Sequence, residues 1–341
     1  LLRGFRWRSI GPVGQGGRVD DIAVDERNPS TYYVGFATGG IWKTTNNGVT
    51  FAPIFDTYGT HSIGDIALAP SNPNIVYVGT GEPNNRQSSS FGDGMYKSTD
   101  GGSTFTHVGL RETQSIARVV VHPTNPDIVW VAAVGRLFGP NEERGVFKSE
   151  NGGRSWTKTL SVDANTGATD LVIHPTNPDI LFAAMYARRR AAFGFAGGSP
   201  ESGIYKSTDG GRRWARVTGG GLPAGTMGRV ALDISRSNPA VMYAQIEVAP
   251  DKERPMVAQA GQQGGGGGGG GGNQQNLPPD PATSGVWRSM DGGATWEFQS
   301  NQNVRPMYFS QLRVDPNNEN VGNVAGADGV KSHDCRERCR D

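Results

Sequence analysis

Apolar and polar positions along this chain fall into short blocks that recur in pairs. An apolar run leads into Asn-Pro, and a second apolar run follows: AVDERNPSTYYV, ALAPSNPNIVYV and VVHPTNPDIVWV. Further copies carry Asn177-Pro178 and Asn238-Pro239, and a looser one follows at Asp315-Pro316-Asn317. Pro fixes φ and Asn bonds to its own backbone, so each Asn-Pro predicts a turn between two strands. No window shows the 3.6-residue period of a helix, which excludes helical solenoids.

A second repeat runs in step with the first. It reads TTNNGVTF from Thr44, STDGGSTF from Ser98, SENGGRSW from Ser149, STDGGRRW from Ser207 and SMDGGATW from Ser289. Its acidic or amide positions are Asn46, Asp100, Asn151, Asp209 and Asp291, spaced by 54, 51, 58 and 82 residues. Each unit therefore reads as four strands, A to D. In the second unit these span 63–69, 75–80, 94–98 and 105–109. Four short strands every ~50 residues are the signature of a β-propeller. The expected fold is all-β, with five complete four-stranded blades and a partial sixth.

The eight-residue box falls in the turn between strands C and D. Its Asp or Asn accepts backbone N–H groups just ahead of it, and its glycines permit positive φ. Its closing ring, Phe51, Phe105, Trp156, Trp214 or Trp296, is expected to be buried between blades. Asn replaces Asp twice, so these acids read as structural, not catalytic or calcium-binding. The blades are placed at about 18–60, 61–112, 113–165, 166–224, 225–304 and 305–334. Residues 1–17 are an N-terminal segment expected to supply a closing outer strand, with Trp7 in the place of a box aromatic. The last box interval is long because it holds the run Gly264–Gly272; residues 257–281 read as a disordered linker.

Composition narrows the partners. Gly is 51 of 341 residues and Lys+Arg 33 balances Asp+Glu 32, leaving a net charge of +1. That balance carries no basic footprint for nucleic acid, and no apolar run approaches a membrane span. Both cysteines, Cys335 and Cys339, lie in the last seven residues, so the body is expected to fold without disulfides. Residues 335–341 form an aberrant tail, where Cys335-Arg336 stands in place of box glycines. The five histidines form no ligand pattern; His122 and His174 share one repeat position and read as turn residues. No cofactor or metal is expected.

Propeller geometry sorts the loops. The A–B and box turns share one face and are short and repetitive. The B–C and D–A loops share the other; 82–93, 134–144, 186–203 and 247–285 are long and individual. A ligand site is expected there. Aligning blades on Asn-Pro places Asp21, Asp65, Arg118, Asp170, Arg229 and Gln311 at one position of strand A. These predict a polar ring around the channel, read either as an inter-blade ion-pair network or as a charged ligand funnel. The candidate ligand-binding set is Asp21, Asp65, Arg118, Asp170 and Arg229, with Glu82 and Arg86 from the second-blade loop. Glu82, Asp93, Glu142, Glu143 and Glu201 remain candidate carboxylates of the loops.

The boxes, with WRSIGP at 7–12, TGGIWKTT at 38–45, GTGE at 79–82, FGDGMYKSTD at 91–100, FGPNEERGVFKS at 138–149 and RPMYFS at 305–310, carry a family resemblance. The chain resembles the BNR/Asp-box propellers, among them sialidases, xyloglucan-cleaving glycosidases and sortilin-type receptors. It is most similar to large secreted bacterial proteins labelled sortilin-like or glycosyl hydrolase BNR-repeat. The resemblance implies an extracellular or periplasmic protein with more blades than are present here. Xyloglucan-cleaving propellers place an acid just before the Gly-Gly that opens strand C of the first blade. Here that place is Thr38, before Gly39-Gly40. The sialidase FRIP motif is not matched by Phe5-Arg6-Trp7-Arg8. The expected function is a scaffold that binds a peptide, protein or glycan on the B–C/D–A face; the alternative is a glycoside hydrolase.

Overall fold

A computed structural model describes residues 17–86, 88–192, 194–248, 283–303, 308, 310–325 and 330–332. The expected closing strand around Trp7, the linker 257–281 and the tail 335–341 lie outside the described residues. Blade 1 contains β1 (Val19–Val24), β2 (Tyr32–Phe36), β3 (Gly40–Thr44) and β4 (Ala52–Pro53). Blade 2 contains β5 (Ile63–Ala69), β6 (Asn72–Thr80), β7 (Met95–Ser98) and β8 (Thr106–His107). Blade 3 has β9 (Ile116–Val121), β10 (Val129–Ala133), β11 (Gly145–Ser149) and β12 (Thr157–Leu160). Blade 4 has β13 (Thr166–Ile173), β14 (Leu181–Ala191), β15 (Gly194–Gly197), β16 (Gly203–Ser207) and β17 (Ala215–Arg216). Blade 5 has β18 (Met227–Ile234), β19 (Met242–Val248), β20 (Gly285–Ser289) and β21 (Glu297–Ser300). Blade 6 has β22 (Gln311–Asp315), β23 (Asn318–Ala325) and β24 (Val330–Ser332).

Each sheet is an antiparallel meander, and successive innermost strands lie against one another. The chain is a β-propeller. Its apolar core is a series of layers, each between two blades. Ile41, Phe55, Ile66 and Phe105 fill the first; Met95, Val119 and Phe147 the second; Trp130, Leu171 and Tyr205 the third. Ile22 of blade 1 is 56 % exposed, whereas its counterpart Ile66 in blade 2 is 4 % exposed. The difference is position: among the described residues no blade covers that side of β1. For the same reason Phe51, expected to be buried like the other box rings, is exposed and stacks edge-on against Tyr32 of its own blade. Phe105 by contrast packs against Phe55 and Tyr58 of the preceding blade.

The box is built the same way five times. The first Ser or Thr hydroxyl accepts the N–H four residues on, at 2.8–3.0 Å, in Gly48, Gly102, Gly153, Gly211 and Gly293. The side-chain oxygens of Asn46, Asp100, Asn151, Asp209 and Asp291 accept the N–H of Thr50, Thr104, Ser155, Arg213 and Thr295 at 2.8–3.0 Å. The turn also bonds back to the A–B turn of its own blade, as from Gly152 N–H to the Asp127 carbonyl. The glycines there take positive φ; in the first box Asn47 does so instead, at φ 58°.

Bonds from the Thr104 hydroxyl and N–H and from Ser98 hold the Asp100 carboxyl down at about 2. A depressed acid favours the fold above its unfolded value, and that advantage fades as pH falls through about 2. Asn46 and Asn151 accept the equivalent backbone N–H without charge, their amides donating to the Thr50 and Ser155 hydroxyls instead. Asp100→Asn is therefore expected to hold the neutral-pH melting temperature and Asp100→Ala to lower it. A marked fall in the Asn variant would show that charge, not acceptor geometry, is required.

One repeated device has no counterpart in the expectations above. Three residues before each box acid stands a cation: Lys43, Lys97, Lys148, Lys206 or Arg288. Each lies 5.0–5.5 Å over the strand-B ring of its own blade, namely Tyr33, Tyr77, Trp130, Phe182 or Tyr243. Most also reach the next blade: Lys43 to the Gly101 carbonyl, Lys97 to Asp127, Lys206 to the Gly292 carbonyl and Arg288 to Asn320. The spacing was visible in the sequence; the partner ring on another strand was not.

Candidate functional site at the channel mouth

A β-bulge precedes Asp21, Asp65, Arg118 and Asp170 on their strands, and each then sits opposite a small strand-B residue. The bulge aims these side chains toward the neighbouring blade. Asp21 accepts the Ile66 N–H at 3.0 Å, Asp65 the Val119 N–H at 2.7 Å and Asp170 the Leu232 N–H at 2.9 Å. Thus the acid of one blade pins the backbone of the next. Where the series reads Arg, Arg118 bridges both neighbours, at 3.3 Å from Asp65 and 3.3 Å from Asp170. Burial opposes its charge, but Asp170, Asp65 and Asp21 outweigh that and raise its pKa. Burial, then the nearby charge of Asp21, lifts the Asp65 carboxyl to about 7.

Blade 5 departs from the expected alignment. The residue opposite Gln245 is Ala231, not Arg229, because a bulge between Met227 and Val230 takes Arg229 out of the series. Asp233 takes over the pinning there, accepting the Val314 N–H at 2.7 Å. Gln311 pairs with Ala325 and is exposed.

Arg229 points instead to the mouth, where the second-blade loop crosses the channel. Its guanidinium donates to Asn84 at 3.1 Å and to the Tyr308 carbonyl at 2.8 Å. Arg188 donates to the Pro83 carbonyl and Asn85 side chain at 2.8 and 3.0 Å, and to the Gly135 carbonyl at 3.1 Å. Arg190 donates to the Asn85 carbonyl, and Arg86 lies 5.2 Å over the Tyr308 ring. The stretch 83–86 is thus held by blades 4, 5 and 6 at once, as a plug. Glu82, at its root, is fully buried and takes a two-pronged ion pair from Arg18 at 2.8 and 2.6 Å. The structure therefore brings Asp21, Asp65, Arg118 and Asp170 together inside the channel, and Glu82, Arg86 and Arg229 at its mouth.

Sequence reasoning passed over Asp20, Asn84, Asn85, Arg144, Arg188 and Arg190. Of these only the run Arg188–Arg190 offered a signal. It stands on a hairpin: the loop expected at 186–203 is largely β14 continuing to Ala191 and returning as β15. Asp20 accepts from Asn84 at 3.1 Å through one oxygen, while the other is buried with no partner. Burial, then Glu82, lifts its pKa to about 8. The folded chain thus keeps a proton that the unfolded chain loses above about pH 4, so stability falls as pH rises from there to about 8. Asp20→Asn is expected to flatten that slope and add ~1–3 kcal/mol at pH 8, after discounting for partial exposure. Urea melts at pH 4, 6 and 8 check it; an unchanged slope refutes the assignment.

The long-loop face carries two exposed rings, Phe91 at 73 % and Phe138 at 54 %. Among its carboxylates, Asp93 is engaged by Tyr96 at 2.7 Å and Arg111 at 3.3 Å. His122 and His174 accept backbone N–H groups of their own turns at 3.1 Å. No described cluster of three or more His, Cys, Asp or Glu could hold a metal, and no described helix is long and apolar enough to cross a membrane.

Five boxes on successive four-stranded sheets define an Asp-box β-propeller of the BNR type. A family model described as Sortilin, neurotensin receptor 3 (Sortilin-Vps10) matches residues 93–221. A xyloglucanase of Paenibacillus sp is 25 % identical over 241 residues, 63 % of this chain and 22 % of that protein. Xyloglucanase Xgh74A of Acetivibrio thermocellus is 24 % identical over 270 residues, 68 % of this chain and 30 % of its own. The chain thus spans less than a third of these relatives. Among solved structures, the Niastella koreensis GH74 enzyme superposes with TM-score 0.62 at 20 % identity, covering 93 % of this chain and 45 % of that one. The GH74 xyloglucanase of Xanthomonas campestris gives TM-score 0.62 at 16 % identity, covering 94 % and 45 %. The matched relatives carry the name of the glycoside-hydrolase alternative; the solved structures show the propeller fold.

Proposed function

We propose that this propeller grips a polysaccharide on its long-loop face, as part of an extracellular or periplasmic glycoside hydrolase. The observation that carries the reading is the exposure of Phe91 and Phe138 on that face, in a chain whose relatives are xyloglucanases. An exposed ring on a rigid scaffold offers a flat apolar platform, and the CH face of a sugar packs on it. The opposite face repeats one turn five times and has little individuality with which to recognise a ligand.

Affinity electrophoresis of the chain through gels cast with xyloglucan tests the reading. Retardation is expected, reduced in Phe91→Ala and Phe138→Ala and unaffected by Val49→Ala on the box face. Unretarded migration, or equal loss in all three variants, would sink it. Release of reducing ends by the product of the whole gene tests hydrolysis itself. A non-catalytic binding scaffold is the second reading, favoured by Thr38 where xyloglucan-cleaving propellers carry an acid, and by the engagement of Glu82 and Asp93. Binding without release of reducing ends would decide for it.

A further inference from the structure

The 134–144 loop and the β14–β15 hairpin bring five arginines to one corner of the long-loop face: Arg136, Arg144, Arg188, Arg189 and Arg190. The hairpin runs beside the loop. The Arg190 N–H donates to the Leu137 carbonyl at 2.9 Å and the Arg188 guanidinium to that of Gly135 at 3.1 Å, which brackets Arg136. Alternation along β14 buries Arg188 and Arg190 and leaves Arg189 half-buried on the other side.

Arg144 lies buried behind them, and all its donors go to neutral oxygens: the Asn141 side chain and the Val134, Asn165, Arg136 and Gly139 carbonyls. Burial lowers its pKa to about 10, and Arg189 and Arg136 press the same way against the pull of Asp163. The Nε atoms of Arg136, Arg188 and Arg190 are buried without a hydrogen-bond partner. Among the described residues one carboxylate lies within ion-pair distance of this group, the exposed Glu112 at 3.7 Å from Arg136, with Asp163 acting on Arg144 from farther away. Five gathered cations thus face few carboxylates and keep unspent donors. The Nε atoms are buried, but the Arg136 side chain is 43 % exposed, so the group reaches solvent through Arg136. Phe138, the exposed ring, stands two residues along the same loop.

Guanidinium groups take carboxylates through paired, directional N–H bonds. A uronic acid of a polysaccharide offers both a carboxylate and a CH face that can stack. We propose that Arg136 and Arg189, with Phe138 on the same loop, bind the carboxylate of a uronic-acid residue in an acidic polysaccharide. This rests on the glycan-gripping reading and names its substrate class.

The test is calorimetric titration of the chain with galacturonate oligomers, their methyl esters and xyloglucan oligomers at one salt concentration. Saturable binding of the acid oligomers is expected, weakened roughly tenfold or more by esterification. Arg136→Gln and Arg189→Gln, both at solvent-reaching positions, are expected to weaken it similarly while leaving xyloglucan binding and the melting curve unchanged. Arg236→Gln, on the box face, removes one charge elsewhere and is expected to change nothing. Equal binding of the methyl esters, full binding by both Arg136→Gln and Arg189→Gln, or equal loss in Arg236→Gln would overturn the proposal. So would equally tight binding of a glutamate peptide, which would make the site a peptide site. Binding of xyloglucan alone overturns this proposal only; binding of no glycan overturns the proposed function with it.

Discussion

Arg118→Met is expected to lower the melting temperature by roughly 10 °C, the largest effect of any single substitution considered. The side chain joins three blades, because Asp65 and Asp170 both lie 3.3 Å from it. Removing one partner of a buried ionic network leaves uncompensated charge and costs about 3–5 kcal/mol; a large domain loses ~2–4 °C per kcal/mol. The deficit should also depend on pH. Asp65 already has its pKa lifted to about 7 by burial and then by Asp21. A raised acid destabilises the fold increasingly as pH climbs past the unfolded value toward the folded one. Without Arg118 that pKa rises further, so the deficit is smaller at pH 5 than at pH 8. Thermal melts at both values check this. A shift under a degree, or one independent of pH, would show that the channel ions are decorative.

Arg188→Met is expected to loosen the plug. Three acceptors lose their donor: the Pro83 and Gly135 carbonyls and the Asn85 side chain. At roughly 1 kcal/mol or more per buried bond the gross loss is about 3 kcal/mol. The net loss is smaller than for Arg118, since burial and the charges of Arg144 and Arg229 already disfavour the Arg188 cation, holding its pKa at about 9. The local effect is larger than the global one. Amide exchange in 82–86 and 88–93 should accelerate by an order of magnitude or more while the box turns stay protected. Unchanged exchange in that loop would mean that Asn84 and Arg229 hold it by themselves.

Much of the architecture was legible because it is local. Each box is closed by bonds spanning two to four residues, so its residues are readable wherever they occur. The Asn-Pro turns and the period-two strands behave likewise. Strand A of the second blade, 63–69, coincides with β5 (Ile63–Ala69). The candidate site was legible only in part. Asp21, Asp65, Arg118 and Asp170 could be aligned because a repeated position implies a repeated place. Arg229 broke the alignment because a bulge adds a residue without leaving a mark in composition.

By itself, the sequence determined the class of fold, the blade repeat, the box turns and the face on which individuality lies, since each depends on neighbours within one blade. Only the tertiary structure decided what the ring and the loops do. The bond from Asp21 to Ile66 spans 45 residues, that from Arg188 to Asn85 spans 103 and that from Arg86 to Tyr308 spans 222. Packing of the blades around one channel brings these distant segments together, and no local pattern encodes which partner a side chain will meet across the channel. Packing of adjacent blades buries Glu82 against Arg18 and gathers five arginines from a loop and a hairpin into one corner. It makes a plug of the 83–86 stretch and a cluster of cations from arginines that the repeat pattern did not single out.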